Sequence, residues 1–182
     1  SADVALFLGD TREVLHSLPA RSVHCCVTSP PYWGLRAYLP GDHENKSYEI
    51  GCEPSPDCDT HGQAQCGRCF VCAIVAVGRG VRHALRDDGT FWLNLGDTYS
   101  TVTGGRGKRD PNNDGKPIGR TGIPAGNLVG VPWRVALALQ ADKWVLRSDV
   151  PWVKRSAMPE SAESRPCKSL EYVFLLAKTG DH

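Results

Sequence analysis

The run Val23 to Thr28 has the apolar, β-branched character of a buried strand, and it stops against Ser29-Pro30-Pro31-Tyr32-Trp33. Proline can neither donate to a ladder nor continue a sheet, so the chain must leave this strand through a stiff loop at its carboxyl end. Two consecutive prolines fix φ and remove two N–H groups, which leaves the Ser29 and Pro30 carbonyls as outward-facing acceptors. The Ser29 hydroxyl adds another acceptor and Tyr32 a flat ring. Acceptors beside a stacking ring suit the exocyclic amino group of a nucleobase. The plainer alternative is a strand terminator, or a polyproline ligand in a loop.

The rest of the chain alternates in the same way. Phe7-Leu8 reads as the end of a short strand at Gly9-Asp10, followed by a helix from Thr11 to Leu18 with Asp10 as its N-cap. A helix is expected from Cys72 to Leu85, weakened by Gly78 and Gly80, then a turn at Asp87-Asp88-Gly89 and a strand over Thr90–Leu95. A helix with proline in its first turn spans Pro132–Gln140, and two strands follow near Trp144–Val153 and Tyr172–Ala177. Trp92, Trp144 and Trp152 lie in strand-like runs and read as core. This alternation predicts an α/β fold with a largely parallel sheet and its sites at the carboxyl ends of strands.

With 182 residues, 41% hydrophobic and 23% charged, the chain can bury a core. A net charge of +1 gives no global argument for nucleic acid or membrane, so any such partner must be read locally. No apolar run is long enough for a membrane span, and the amino terminus lacks the basic n-region of a signal peptide, which together read as cytoplasmic. A local basic excess does occur: the glycine-rich stretch 101–130 reads as a mobile basic loop, in which Arg106, Lys108 and Arg109, with Arg36 nearer the proline corner, are candidate phosphate contacts. Trp33 is a candidate to wedge or stack beside a base.

Eight cysteines are present, five of them between Cys52 and Cys72. Clustering in a reducing compartment favours metal over disulfides. Cys58, Cys66, Cys69 and Cys72 supply four thiolates within fifteen residues, which suits a closed tetrahedral zinc site in an insertion spanning 52–72. An iron–sulfur run fits less well, since position 76 is Ala. Cys52 or His61 stay open as replacements for one ligand. Four protein ligands leave no position for a reactive water, so the metal is expected to be structural.

Thr28-Ser-Pro-Pro-Tyr-Trp33 resembles the catalytic motif of amino-group DNA methyltransferases, which methylate cytosine N4 or adenine N6. The Ser-Pro-Pro-Tyr form is similar to the cytosine-N4 branch. Leu8-Gly-Asp10, the stretch Asp88 to Asp97, and the blocks from Asp149 through Met158-Pro-Glu-Ser161 to Lys178 are similar to successive motifs of the permuted β-type members. The resemblance implies an incomplete Rossmann-like methyltransferase sheet carrying a Cys-rich insertion, with residues 1–182 forming the catalytic part.

It further implies that Ser29 and the Pro30 carbonyl accept from the target amino group, that Pro31 stiffens the loop and that Tyr32 stacks on the extruded base. Asp10, Thr28 and Ser29 would lie on the side of the cofactor, S-adenosylmethionine, and the partner would be DNA in a restriction-modification or phage setting. No cysteine nucleophile is implied, and Cys25 and Cys26 read as inert core. Glu160, Arg165 and Glu171 match polar points of the family pattern and are assigned to structural pairing.

The family's glycine-rich cofactor loop and its target-recognition region have no counterpart here. Gly78-Arg79-Gly80 and Gly104-Gly105-Arg106-Gly107 are weak matches. A second chain or a further segment is expected to carry both, and the 182 residues alone are expected to transfer no methyl groups. Two other readings stay open: an adenine-N6 enzyme, and a non-catalytic zinc-stabilised DNA-binding or partner subunit on the same scaffold.

Overall fold

In the computed structural model, which describes residues 3–35, 37–58, 66, 68–100, 126–156 and 165–180, four strands form one sheet. They are β1 (Val23–Thr28), β2 (Leu85–Leu95), β3 (Val145–Val153) and β4 (Leu170–Ala177), in the spatial order β1-β2-β4-β3. Among the described residues three α-helices, α1 (Thr11–Ser17), α2 (Phe70–Ala84) and α3 (Val131–Ala141), and a short 3-10 helix at Lys46–Tyr48 accompany them.

The expectation of a largely parallel sheet is corrected. Only β1 and β2 pair in parallel, whereas β4 runs antiparallel to both of its neighbours. β1, β2 and β3 nevertheless share one direction, because reversed β4 lies between β2 and β3. Their carboxyl ends therefore collect at one edge of the sheet together with the amino end of β4.

Period-two alternation on β2 buries Phe91, Leu93 and Leu95 and leaves Trp92 and Asn94 half covered. The buried set meets Phe70, Ile74 and Val75 of α2, Val135 and Leu139 of α3, and Phe174 and Leu176 of β4 in one core. Each such side chain contributes roughly 1.5–3 kcal/mol by leaving water. Gly78 and Gly80 do not weaken α2 without return. A Cβ on Gly78 would stand 2.6 Å from Leu139 Cδ2 of α3, and one on Gly80 would stand 2.9 Å from Leu15 Cβ of α1. The two glycines let α2 be approached closely from two sides.

Several local expectations change. Phe7-Leu8 forms no strand: the segment pairs with no described residue, and Leu6 and Leu8 are almost fully exposed. β1 is an edge strand rather than a buried one, with Val27 76% exposed. Cys25 is accordingly exposed, not core; Cys26 is half-buried, and burial with Cys25 alongside pushes its thiol up to about 11, which keeps it protonated. The turn expected at Asp87-Asp88-Gly89 is instead part of β2, at an irregularity where the register jumps from Val23 opposite Leu85 to Cys25 opposite Thr90. Trp144 is core, tilted against Phe91 at 5.3 Å, but Trp152 on edge strand β3 is 61% exposed. An apolar run specifies a strand without specifying what covers it, and edge strands expose the difference. Among the described residues no helix is long and apolar enough to cross a membrane.

Candidate active site and thiol cluster

The register of the sheet builds the site. Thr28, the last residue of β1, pairs with Leu93, so Ser29 emerges beside Asn94 of β2. Asn94 pairs with Val173 of β4, and Trp152 of β3 pairs with Glu171, so Glu171 and Lys154 arrive at the same edge from the far side of the sheet.

Four polar side chains meet there. Ser29 Oγ lies 3.2 Å from both the Tyr32 hydroxyl and Asn94 Oδ1. The Tyr32 hydroxyl donates toward Asn94 Oδ1 and, at 3.0 Å, toward Glu171 Oε2. Asn94 Nδ2 donates to the Tyr172 carbonyl at 3.3 Å, which fixes its amide so that the oxygen faces the hydroxyls. Lys154 Nζ donates to Glu171 Oε1. Two hydroxyl protons thus face an amide oxygen, a carboxylate oxygen and each other's lone pairs, and acceptors outnumber protons. Ser29 is exposed, and outside the strand ladder no described residue donates to the Pro30 carbonyl. Among the described residues the corner therefore keeps acceptors free for a further donor.

Electrostatics follow from this packing. Burial raises the Tyr32 phenol above its ordinary value, and the neighbouring Glu171 carboxylate adds to the rise, so the hydroxyl stays protonated. Burial also pulls the Glu171 carboxyl upward, but the bonds from Lys154 and Tyr32 more than offset it and hold the group below the usual carboxylate range. The Tyr32 ring lies close to Gly96: a Cβ there would stand 2.5 Å from Tyr32 Cε2. Asp97, the next residue, accepts from Gly130 N at 3.1 Å and Val131 N at 2.9 Å, so it caps α3 and ties that helix to the end of β2.

The expectation that Trp33 stacks on a base is corrected. Trp33 is 2% exposed and donates its indole Nε1–H to the Glu53 carbonyl at 2.9 Å, so it presents no face to a ligand. Asp10 stands apart from the hydroxyl cluster. Its carboxylate caps α1 through Arg12 N at 2.8 Å and receives the Arg12 guanidinium, which holds it below the ordinary aspartate value. Arg36, Arg106, Lys108 and Arg109 lie outside the described residues, as does His61.

The second cluster consists of Cys58, Cys66, Cys69 and Cys72, whose Sγ atoms all lie within 4.8 Å of one another. Cys58 Sγ is 3.7 Å from Cys72 Sγ and 3.6 Å from Cys69 Sγ. These separations are far beyond a disulfide bond. They match the roughly 3.8 Å edge of a tetrahedron with metal–sulfur bonds of about 2.3 Å. The four thiols can hold a metal ion, and Cys52 is not among them. Cys69 also caps α2, its Sγ accepting from Cys72 N at 3.3 Å.

Residues 23–182 match the family model of the N6/N4 methyltransferases, described as DNA methylase. The chain belongs to this DNA methylase family. It is 43% identical over 181 residues to the Type II methyltransferase M.XycI of Xanthomonas campestris pv. cyanopsidis, covering 96% of this chain and 54% of that protein. Against M.Cfr9I of Citrobacter freundii the identity is 42%, with the same coverage. This DNA methylase chain spans about half the length of the curated relatives it matches. Among solved structures, the cytosine-N4-specific PvuII DNA methyltransferase superposes with a TM-score of 0.58 at 20% identity, covering 95% of this chain and 48% of that one. A putative DNA modification methylase of Thermus thermophilus, complexed with S-adenosyl-L-methionine, gives 0.56 at 20% identity over 96% and 53%. At these identities the likeness establishes the fold.

Of the residues expected at the site, Ser29 and Tyr32 share the hydroxyl cluster, with Thr28, Pro30 and Pro31 in the same turn of chain. Asn94 is not among the residues expected there. Its signal was present: a lone amide on the half-covered face of an apolar strand ending in Gly96-Asp97. Glu171, expected to serve in structural pairing, pairs with Lys154 and also touches Tyr32.

Proposed function

We propose that this chain is the catalytic part of a DNA methyltransferase that moves a methyl group from S-adenosylmethionine to N4 of cytosine in a restriction-modification setting. The observation that carries the reading is the proline-braced corner with surplus acceptors at the carboxyl ends of β1 and β2. An exocyclic amine is a poor nucleophile because its lone pair is delocalised into the ring. Hydrogen bonds from its N–H groups to Ser29 Oγ and the Pro30 carbonyl localise that pair on nitrogen and aim it.

In this reading Tyr32 stacks on the extruded base, its ring seated on Gly96 and its hydroxyl pinned by Asn94 and Glu171. Pro31 keeps the turn rigid. Asp10 and Thr28 contribute to the cofactor side together with Ser29. S-adenosylmethionine supplies an electrophilic methyl group, so no covalent bond to the protein is required. Arg36, Arg106, Lys108 and Arg109 neutralise DNA phosphates. The four cysteines hold a structural zinc ion, and a further segment or second chain supplies the glycine-rich cofactor loop and the target-recognition region. A cytoplasmic location goes with that role.

Serine at the head of the motif supports cytosine N4. Because the family model spans both chemistries, adenine N6 is the second reading. Mass spectrometry of nucleosides from DNA of cells expressing the gene separates them. N4-methylcytosine supports the first reading, N6-methyladenine replaces it with the second, and DNA left unmodified when any chain carrying the cofactor loop is expressed alongside contradicts both.

A further inference from the structure

The Ser29–Trp33 corner does not hold itself in place. Trp33 hooks it to the Glu53 carbonyl through the indole N–H, and Gly34 N donates to the Gly51 carbonyl at 2.9 Å. Gly51 has φ +96°, and a Cβ there would stand 3.2 Å from both Pro31 Cβ and the Tyr32 carbonyl oxygen. The Glu53 carboxylate turns back to accept from Gly51 N at 2.9 Å. The corner therefore leans on residues 51–53.

That segment runs on into the chain that meets the start of α2 beside the thiol cluster. Ser55 forms a parallel bridge with Cys69, Phe70 N donates to the Ser55 carbonyl and Val71 N to the Pro56 carbonyl, both at 3.1 Å. Asp57 receives Arg134 of α3 at 2.7 Å and the Cys58 amide at 2.8 Å. Cys58 follows Glu53 by only five positions. A cation joining Cys58 to Cys69 and Cys72 adds bonds to sulfur that fasten this short connection to the start of α2, where without it the four cysteines add only weak sulfur contacts to the backbone bonds above.

We propose that the ion bound by Cys58, Cys66, Cys69 and Cys72 sets the position of the Ser-Pro-Pro-Tyr corner, with Trp33 as the positioning residue that connects the two. This rests on the metal reading above. It goes beyond a zinc ion that stabilises only its own loop, because it makes the geometry of Ser29 and Tyr32 depend on thiols that touch neither of them.

The test is hydrogen–deuterium exchange on the chain as its gene encodes it, zinc-loaded and after a high-affinity chelator. Stripping is expected to speed exchange over Ser29–Leu35 by about tenfold or more while the β2–β4 ladder stays unchanged, and zinc should restore it. Trp33→Phe keeps the packing and removes the hook. With zinc still bound one per chain, it should show the fast corner and lose the metal dependence. Acceleration confined to residues 55–72 on stripping overturns the proposal, as does a zinc-loaded Trp33→Phe protein whose corner exchanges like wild type. Should stripping loosen the ladder too, the zinc-loaded Trp33→Phe protein decides alone. Protein purified without chelator that carries no zinc overturns the metal reading itself, and zinc content reports that outcome separately from exchange.

Discussion

Tyr32 and Glu171 stand 139 positions apart in the chain, and the Tyr32 hydroxyl donates to Glu171 Oε2 at 3.0 Å. The contact joins the loop after β1 to the start of β4 across the sheet. It gives the tyrosine ring a defined orientation at its far end, while Gly96 leaves room for the Cδ2–Cε2 side of the ring.

Tyr32→Phe removes this bond and keeps the ring. Asn94 Oδ1 and Glu171 Oε2 lose the one hydroxyl proton they share, which should cost about 1 kcal/mol of stability by chemical denaturation. If the ring must be held to within an ångström for the base to stack, methyl transfer should fall on the order of 100-fold. A variant with wild-type turnover would show that the hydroxyl has no positioning role.

Gly96→Ala crowds the same ring from the Cδ2–Cε2 side. The new Cβ would stand 2.5 Å from Tyr32 Cε2 and 2.6 Å from Cδ2, so either the ring or the end of β2 must move. Overpacking of this kind should cost about 1–3 kcal/mol. Combining it with Tyr32→Ala should recover most of that loss, measured as a double-mutant cycle.

Much of this geometry is legible from local residues and some of it is not. The end of β1 at Thr28 follows from two prolines, and the grouping of Cys58, Cys66, Cys69 and Cys72 follows their spacing, which leaves Cys52 and His61 open. Trp33 misleads because an indole beside a candidate base site looks the same in sequence whether it faces out or in; its donor finds the Glu53 carbonyl twenty residues away. The Phe7-Leu8 strand and the buried character of β1 fail for one reason. Apolar patterning reports what a segment can bury, and it does not name the partner that would cover it. Asn94 and the Gly51–Glu53 brace depend on register and on long-range contact, which no short window contains.

Asp97→Ala should uncap α3. Its two oxygens accept from Gly130 N and Val131 N at the helix start, and their loss should cost about 1 kcal/mol. Because Arg134 of the same helix grips Asp57, exchange at the Asp57 loop should rise as well. Thermal unfolding and exchange together check both parts.

Acid stability should carry a signature of Glu171. Its folded pKa lies below the ordinary glutamate value of 4.5, so its contribution is fully present above that value and is lost as pH falls through the depressed folded pKa. Glu171→Gln should therefore destabilise the protein near neutrality and lose less stability on acidification below pH 4.5 than wild type. Urea midpoints across that range measure it, and parallel curves for the two proteins would contradict the assignment.

The central claim is that Ser29 Oγ and the Pro30 carbonyl receive the N–H groups of a target base. Its most direct test is the single-turnover rate of methyl transfer by Ser29→Ala in the chain as its gene encodes it, with DNA and S-adenosylmethionine affinities measured alongside. The account predicts a rate lowered on the order of 100-fold with both affinities within a few-fold of wild type. A Ser29→Ala protein that methylates at the wild-type rate would contradict it.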